Sequence, residues 1–207
     1  MVEIAGHIIQ KHHPNQSSTM PHFRFFKPYG TLSQFVNNGV QKKRHTLIGD
    51  FGSFPDGTMA VGRLDRDSEG LLLLTTDGKW SSQMTSKGIE KEYWVQVDGI
   101  PTEEQLATLA KGVDITVKKE LYTTLPCTIR KIPTPNLPPR AKAIRDERHG
   151  PTTWLSITLR EGKFRQVRKM TAKIGTPTLR LVRFRVGDYT LEGLEPGDSK
   201  IIEKSST

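Results

Sequence analysis

The feature that most constrains this chain is the segment GRLDRDSEGLLLLTTDG, residues 62–78, in which four consecutive leucines follow a cluster of charges. Leu71–Leu74 should be buried, because apolar side chains gain free energy on leaving water. Polar residues beside them then lie at the edge of a core, where charges are partly desolvated and available for chemistry. These residues are Arg63, Asp65, Arg66 and Asp67. The alternative is a solvated charged turn with no function, which is the commoner role of an arbitrary charged turn.

The chain is basic, and its basic residues are clustered. It has 207 residues, enough for one large domain or two small ones, and its hydrophobic content of 34% is sufficient for a core. The formal net charge is +9, and nine basic residues and one acid, Glu161, lie between Arg160 and Arg185. Such clustering indicates a polyanionic partner, most often nucleic acid, and a solvated basic face is the alternative.

The sequence also indicates the cellular compartment of the protein. No apolar run reaches membrane-spanning length, and the first residues lack the charged start and apolar region of a secretory signal. We therefore expect a cytosolic protein without a membrane partner, and we expect a monomer. The single cysteine, Cys127, excludes an internal disulfide and a multi-cysteine zinc site, and we expect it to be packed rather than reactive.

Hydrophobic patterns divide the chain into strands and helices. We predict strands at 22–26, 59–64, 71–76, 91–97, 124–132, 154–159 and 179–186. Thr102 and Gln105 form a capping-box pattern that opens a helix ending near Gly112, and residues 164–174 have the spacing of another helix. Because strands outnumber helices and the helices are irregularly separated, the pattern predicts an α+β fold with a mostly antiparallel sheet.

The acidic residues of the charged turn do not match a known metal-binding loop. Asp65, Asp67 and Glu69 imitate the start of an EF-hand loop, but the twelfth position is Thr76 rather than a bidentate glutamate. A two-metal nuclease site that gathers acids from elsewhere in the chain stays open as an alternative. The sequence contains neither a glycine-rich phosphate loop with its lysine nor a dinucleotide-binding fingerprint.

A second candidate segment, EGKFRQVRKM at 161–170, combines basic and apolar residues at helical spacing. If Val167 and Met170 are buried, Arg168 lies at the border of the apolar stripe, from which it can reach a carboxylate. An arginine at such a border is more often a phosphate ligand or a solvated side chain. Spacing alone therefore favours this second interpretation.

Four segments together resemble one family of RNA-modifying enzymes. They are FKPYG at 26–30, GRLDRDSEGL at 62–71, KEY at 91–93 and EGKFRQVRKM at 161–170. In this order they are similar to the bacterial pseudouridine synthases of ribosomal RNA, the RsuA/RluB/RluE/RluF group. Residues 154–159 and 177–181 resemble its large-subunit type E. The resemblance implies the pseudouridine synthase fold, an α+β structure with flanking helices and an active-site cleft across the sheet.

The resemblance covers about residues 22–195. We expect a mobile arm at 1–20, a catalytic domain at 21–200 and a short tail at 201–207. We also expect the S4 RNA-binding module of several family members to be absent, because only about twenty residues precede the catalytic domain.

The resemblance further implies that a uridine of 23S ribosomal RNA is isomerised to pseudouridine. The N-glycosidic bond breaks, the base turns and C5 joins the ribose, after the uridine has been flipped out of the RNA. The resemblance assigns the catalytic carboxylate to Asp65, and a stacking or proton-accepting role to Tyr93. It assigns Arg168 as the partner that keeps Asp65 ionised. No cofactor is implied, because the reaction is redox-neutral and takes no group from a donor.

Basic residues around these segments are the candidate RNA ligands: Arg63, Lys91, Arg165, Lys169, Lys173, Arg140 and Arg145. The last two lie in a proline-rich loop, residues 133–150, which is long enough to suggest a function. We expect this loop to help select the uridine, and a passive surface insertion is the alternative. For the whole chain, the main alternative is a non-catalytic basic RNA-binding or ribosome-assembly protein on the same fold.

Overall fold

The computed structural model describes residues 20–36, 45–144 and 147–203. The strands are β1 His22–Lys27, β2 Met59–Ala60, β3 Glu69–Thr75, β4 Lys91–Asp98, β5 Asp114–Val117, β6 Glu120–Thr123, β7 Thr128–Ile132, β8 Thr152–Leu159, β9 Thr178–Val186, β10 Tyr189–Thr190 and β11 Ser199–Ile201. The α-helices are α1 Gly78–Thr85, α2 Glu103–Lys111 and α3 Gln166–Lys173, and short 3-10 helices cover Ile48–Phe51 and Glu147–His149. In these ranges, no helix has both the length and the apolar character needed to cross a membrane.

The main sheet has nine strands and is almost entirely antiparallel. Its principal order is β11–β1–β3–β9–β4–β8–β7, with β2 paired to β3 and β10 paired to β9. Within the described ranges, β3 and β9 are the one parallel pair of this sheet. The strands β5 and β6 form a separate antiparallel hairpin. The predicted α+β class with a mostly antiparallel sheet is confirmed.

The four leucines are buried because β3 is covered on both faces. Leu71 and Leu73 belong to a hydrophobic cluster on one face of the sheet, whereas Leu72 and Leu74 belong to another cluster on the opposite face. This alternation is the strand period of two, and it explains why an unbroken apolar run forms a strand here. Gly70 immediately precedes the four leucines. A Cβ atom at this position would lie 2.4 Å from the carbonyl oxygen of Arg183, so only glycine allows the two backbones to approach so closely.

The helices α2 and α3 cover the part of the sheet formed by β4, β8 and β9. Thr102 and Gln105 make the reciprocal capping-box hydrogen bonds predicted from the sequence. Leu109 of α2 and Met170 of α3 are fully buried against Val95 of β4. Packing of Met170 and Val167 against the core fixes the position of α3. The N-terminus of this helix lies near the centre of the sheet.

Two predicted strands are shorter than expected, and some elements were not predicted. The strand expected at 59–64 ends at Ala60, and the one expected at 124–132 begins at Thr128. The residues that precede β7 are instead held at the end of α2. Thr124 forms hydrogen bonds with the backbone of Val113, and the amide of Cys127 donates to the carbonyl oxygen of Ala110. The sequence did not predict α1, whose two apolar side chains, Trp80 and Met84, are only partly buried against the core. The β5–β6 hairpin was also missed.

The ends of the chain and the cysteine complete the fold. Strand β11 reaches Ile201, which pairs with Phe23 of β1. The predicted arm up to residue 19 and the tail from residue 204 lie outside the described residues, so the domain limits stay a prediction. Cys127 packs beside a core cluster, and burial raises the pKa of its thiol to about 11, which keeps it protonated at neutral pH.

Candidate active site

The turn that joins β2 to β3 carries Asp65 and is held from both sides. The hydroxyl of Ser33 donates to the carbonyl oxygen of Leu64 at 2.8 Å and accepts from the Leu64 amide at 3.0 Å. The amide of Ser68 donates to the Asp65 carbonyl at 3.0 Å, and that of Gly30 donates to the Arg66 carbonyl at 2.8 Å. The backbone around Asp65 is thus fixed while its carboxylate stays partly exposed.

Arg165 provides the cation that faces this turn. Its Nη1 and Nη2 donate to the two carboxylate oxygens of Asp67, each at 2.9 Å, and its Nη1 lies 3.4 Å from Oδ2 of Asp65. Partial burial disfavours ionisation of Asp67, but the hydrogen bonds from Arg165 and the charge of Arg168 outweigh it and lower its pKa. The forked guanidinium therefore holds Asp67 firmly and contacts Asp65 loosely.

The partner of Asp65 differs from the one that the sequence predicts. Arg168 is the predicted partner, whereas its Nη2 donates to the carbonyl oxygen of Asp67 at 2.7 Å and lies 3.6 Å from the Asp67 carboxylate. The reason is local: α3 begins at Gln166 rather than 164, and Arg165 adopts the left-handed conformation at the N-cap, with φ of 54°. Arg165 thereby reaches Asp65, and Arg168 supports the turn from the side of the helix.

Buried charges lie directly beneath the turn. The side chain of Lys27 is fully buried, and its Nζ donates to the carbonyl oxygens of Ser68 at 2.7 Å and Pro28 at 3.0 Å. Burial lowers the pKa of Lys27 to about 7, against the opposing attraction of Glu69. Glu69 accepts hydrogen bonds of 3.0 and 2.8 Å from Arg180, which is itself buried.

Asp65 opens into a cleft that crosses the sheet, as expected. The cleft has a volume of about 520 Å³, and Tyr93 of β4 and Leu181 of β9 contribute to its wall. A smaller cleft of about 340 Å³ lies on the other side of the turn and is lined by Tyr29 and Arg66, among others. Asp65 and Arg165 line both clefts. Arg168 is not among the residues that line either one.

The loop at 161–166, between β8 and α3, forms the outer wall of the larger cleft. Glu161 binds the amide of Leu125 at 2.8 Å and Nε2 of Gln166 at 2.7 Å, and Oε1 of Gln166 accepts from the amide of Lys163 at 2.9 Å. These part-buried and exposed hydrogen bonds restrain the conformation of the loop. The motif EGKFRQVRKM therefore contributes a rigid wall as well as cations.

The structure separates the predicted RNA ligands into free and tethered side chains. Arg63 is exposed at the larger cleft, and Lys173 is exposed on the outer face of α3. Lys91 is half-buried, with its Nζ donating to the carbonyl oxygen of Ile89 at 2.9 Å, and burial and the charge of Arg183 lower its pKa. Nζ of Lys169 donates to a backbone carbonyl of β5.

The two predicted ligands in the 133–150 loop differ in what the structure shows. Arg140 donates to the carbonyl oxygens of Lys142 and Ala143, and it lies 4.6 Å from the ring centroid of Tyr29. Arg145 lies outside the described residues. Arg140 thus places its part of the loop beside Tyr29, which lines the smaller cleft.

Sequence reasoning missed the positioning roles of Lys27, Arg165 and Arg180. Lys27 and Arg165 lie inside the segments that carried the family resemblance, so their places in those segments were the available signal. Arg180 lies in the 177–181 segment that also carried the resemblance, but its pairing with Glu69, 111 residues away, has no local sequence signal. Among the described residues, no group of three or more histidine, cysteine, aspartate or glutamate side chains is placed to hold a metal ion.

Comparison with known proteins agrees with this geometry. Residues 22–173 match the family described as RNA pseudouridylate synthase. The chain is 47% identical to the ribosomal large subunit pseudouridine synthase E of Vibrio parahaemolyticus over 86% of this chain and 72% of that protein. It is 45% identical to the protein of the same name from Xanthomonas axonopodis pv. citri, over 82% and 87% respectively. A solved structure described as a pseudouridylate synthase superposes with a TM-score of 0.67 at 29% identity, over 89% of this chain and 70% of that one. The fold and the resemblance to large-subunit type E predicted from the sequence are confirmed.

Proposed function

We propose that this chain, which belongs to the RNA pseudouridylate synthase family, converts a uridine of 23S ribosomal RNA to pseudouridine in the bacterial cytoplasm. The observation that carries the proposal is the placement of Asp65 and Tyr93 on the wall of one cleft, with Arg165 in contact with the carboxylate. The close relatives named for the large subunit support this choice of RNA.

Asp65 is the proposed catalytic carboxylate. Its side chain is 27% exposed, and its one ion-pair contact among the described residues is the long one of 3.4 Å to Arg165, whose short hydrogen bonds go to Asp67. The carboxylate thus keeps lone pairs directed towards a bound nucleotide, while its backbone is fixed by Ser33 and Ser68. Asp67 and Glu69 hold the turn rather than react.

The larger cleft suits a flipped base. Tyr93 is half-buried, with buried Leu159 and Leu181 also on the wall. An aromatic ring among apolar side chains holds a planar base by stacking, and a few polar groups then fix its orientation. During isomerisation the detached base must turn without leaving, and Tyr93 provides the surface on which it turns. The C5 proton is lost and N1 gains one, and the Tyr93 hydroxyl is the candidate acceptor on this wall.

The basic surface around the cleft supplies contacts to the RNA backbone. Arg63, Lys163 and Arg165 line the cleft, and Lys173 extends the positive surface along α3. Phosphate contacts of this kind give affinity with little sequence information. The 133–150 loop is the proposed element that selects the target uridine, since its Arg140 lies over the ring of Tyr29, a residue that lines the smaller cleft.

The test is incubation of the purified protein with 23S ribosomal RNA transcript, followed by chemical mapping of pseudouridine. We expect one or a few modified uridines with the wild-type protein. Asp65→Asn should lower the rate by at least about a thousandfold, as removal of a catalytic carboxylate does, with unchanged RNA affinity and thermal unfolding. RNA binding without modification by the wild-type protein would instead support the non-catalytic alternative. Near-wild-type activity of Asp65→Asn would remove Asp65 from the mechanism.

A further inference from the structure

Phe164 is an exposed aromatic side chain on the rim of the catalytic cleft. Its side chain is 64% exposed, and it lines the same cleft as Asp65 and Tyr93. In the part of the chain that the structure describes, no aromatic ring stacks on it, and it belongs to none of the hydrophobic clusters. The catalytic mechanism proposed above does not use it. A large apolar ring in water beside a nucleic-acid site points to a binding role.

The loop that carries Phe164 is fixed on both sides of the ring. Glu161 accepts hydrogen bonds from the hydroxyl of Tyr122 at 2.5 Å and from the amide of Leu125 at 2.8 Å. Gln166 binds Glu161 through its amide nitrogen, and its side-chain oxygen and backbone amide both bind Lys163. Phe164 is therefore displayed by a rigid turn, so that little conformational entropy of the backbone is lost when the ring is used.

The backbone turn at Arg165 explains why the ring faces outwards. Arg165 has φ of 54°, a left-handed conformation that is rare for a residue other than glycine. It directs the guanidinium inwards to Asp65 and Asp67, and the preceding ring stays at the rim. Nζ of Lys169 lies 5.3 Å from the ring centroid, where it is anchored by a 2.6 Å hydrogen bond to the carbonyl oxygen of Thr116. The ring thus has a cation close to it and remains largely open to solvent.

We propose that Phe164 is a stacking platform for an unpaired nucleobase next to the target uridine. The inference rests on the proposed function, which brings the target base to Tyr93 deeper in the same cleft. Flipping that base breaks its stacking on its neighbours, at a cost of a few kcal/mol. A neighbouring base that stacks on Phe164 recovers part of this loss.

The charges around the ring agree with a nucleotide as the occupant. Lys163 and Arg165 flank Phe164 in sequence, Lys169 lies at its ring, and Arg63 lines the same cleft. An ammonium or guanidinium within reach of the stacked base can bind the adjoining phosphate. Stacking is tolerant of base identity, so the platform adds affinity and aligns the RNA strand in the cleft, but it does not select a sequence.

The experiment compares variants at this position in the Asp65→Asn background, where binding is measured without turnover. The probe is a single-stranded oligoribonucleotide that contains the mapped uridine, or poly(U) if no uridine is mapped. Phe164→Ala and Phe164→Leu should each weaken binding by about 5- to 150-fold, the range that the loss of one stacked base produces. Phe164→Trp should bind at least as tightly as the parent, and RNA should quench its added tryptophan fluorescence.

Two controls separate stacking from general effects. Ile100 is 66% exposed and follows the opposite end of β4, so Ile100→Ala should leave affinity unchanged and Ile100→Trp should not be quenched. A duplex RNA of the same sequence offers no unpaired base, and Phe164→Ala should bind it as the parent does. Circular dichroism should be the same for all variants, since both positions are exposed.

The outcomes distinguish this proposal from the proposed function. If Phe164→Leu binds as tightly as the parent, or if the tryptophan is not quenched, the platform is wrong even when the wild-type protein forms pseudouridine. If quenching and the affinity loss are observed while the wild-type protein forms no pseudouridine, the platform stands and the proposed isomerisation fails.

Discussion

Two arginine–carboxylate pairs adjoin the turn that joins β2 to β3, and they differ mainly in their access to water. Arg165 and Asp67, at the cleft, are 35% and 37% exposed, whereas Arg180 and Glu69, beneath it, are 7% and 4% exposed. Both pairs are joined by two hydrogen bonds of 2.8 to 3.0 Å. Since the geometry is alike, burial decides what each pair does.

The comparison shows that similar ion pairs can serve RNA binding at an exposed position and stabilise the fold at a buried one. Water screens the pair at the cleft, so it adds little stability, and Arg165 can exchange part of its contact for RNA. Arg180 and Glu69 are buried, so this pair cannot exchange its contact for one with RNA. Arg180 also donates to the carbonyl oxygen of Pro138 at 2.9 Å, so it joins Glu69 at the start of β3 to β9 and to the 133–150 loop. The turn that carries Asp65 is thus supported by a buried ion pair at the start of β3.

The largest effect is expected from breaking the buried pair. Arg180→Met should lower the free energy of unfolding by about 3–5 kcal/mol, because Glu69 is left as an uncompensated buried charge. Urea denaturation followed by circular dichroism measures it. The matched control is Arg160→Met, which removes an ion pair with Glu90 whose arginine is 69% exposed, and it should change stability by less than about 1 kcal/mol.

A double variant sharpens this result. Glu69→Leu combined with Arg180→Met replaces both charges by apolar groups, and it should recover most of the stability lost in the single variant. A single Arg180→Met variant as stable as the wild type would contradict the architectural role of the pair. A double variant no better than the single one would place the loss in the Pro138 contact instead.

A smaller effect, on turnover, is expected from the pair at the cleft. Arg165→Met should lower kcat by about 100-fold, because Asp65, the proposed catalytic carboxylate, loses its charge contact, with stability changed by less than about 1 kcal/mol. Arg168→Met should instead lower stability by about 1–3 kcal/mol, because the partly buried carbonyl of Asp67 loses its hydrogen-bond donor. Single-turnover rates and urea denaturation of both variants decide between them. The reverse pattern would restore Arg168 as the partner of Asp65.

The sequence predicted elements with a regular hydrophobic period and residues with a place in a known motif. β4 and α2 were predicted because their buried faces repeat at strand or helix spacing, β3 was predicted from its unbroken run of leucines, and Asp65 and Tyr93 were assigned by family resemblance. α1 was missed because it buries no residue. The contact between Arg165 and Asp65 was missed because it depends on a left-handed residue at the N-cap, which helical spacing does not predict. The Glu69–Arg180 pair depends on the parallel pairing of distant strands, and no local pattern encodes it.

The most specific effect is confined to alkaline pH and is expected at Lys27, a buried cation that forms no salt bridge with any of the described residues. Burial lowers its pKa to about 7, with Arg183 acting in the same direction and Glu69, Asp67 and Asp65 opposing the shift. In the unfolded chain Lys27 binds its proton up to pH of about 10.4. Between pH 7 and 10 the unfolded state therefore binds more protons than the folded state, and stability contributed by Lys27 rises with pH. Below pH 7 both states are protonated, and the cost of burying the ammonium is constant.

Lys27→Met should remove this rise. The difference in free energy of unfolding, wild type minus variant, should increase from pH 7 to pH 10 and stay constant from pH 5.5 to 6.5, as measured by urea denaturation at each pH. Any fixed loss from the unpaired Ser68 carbonyl shifts the whole curve and does not change its slope. Lys173→Met, on the exposed face of α3, is the matched control and should run parallel to the wild type. Parallel curves for Lys27→Met as well would mean that Glu69 and the two aspartates keep Lys27 charged. The charges beneath the turn would then act as one network with the Arg165 pair, and burial would no longer separate the two regions.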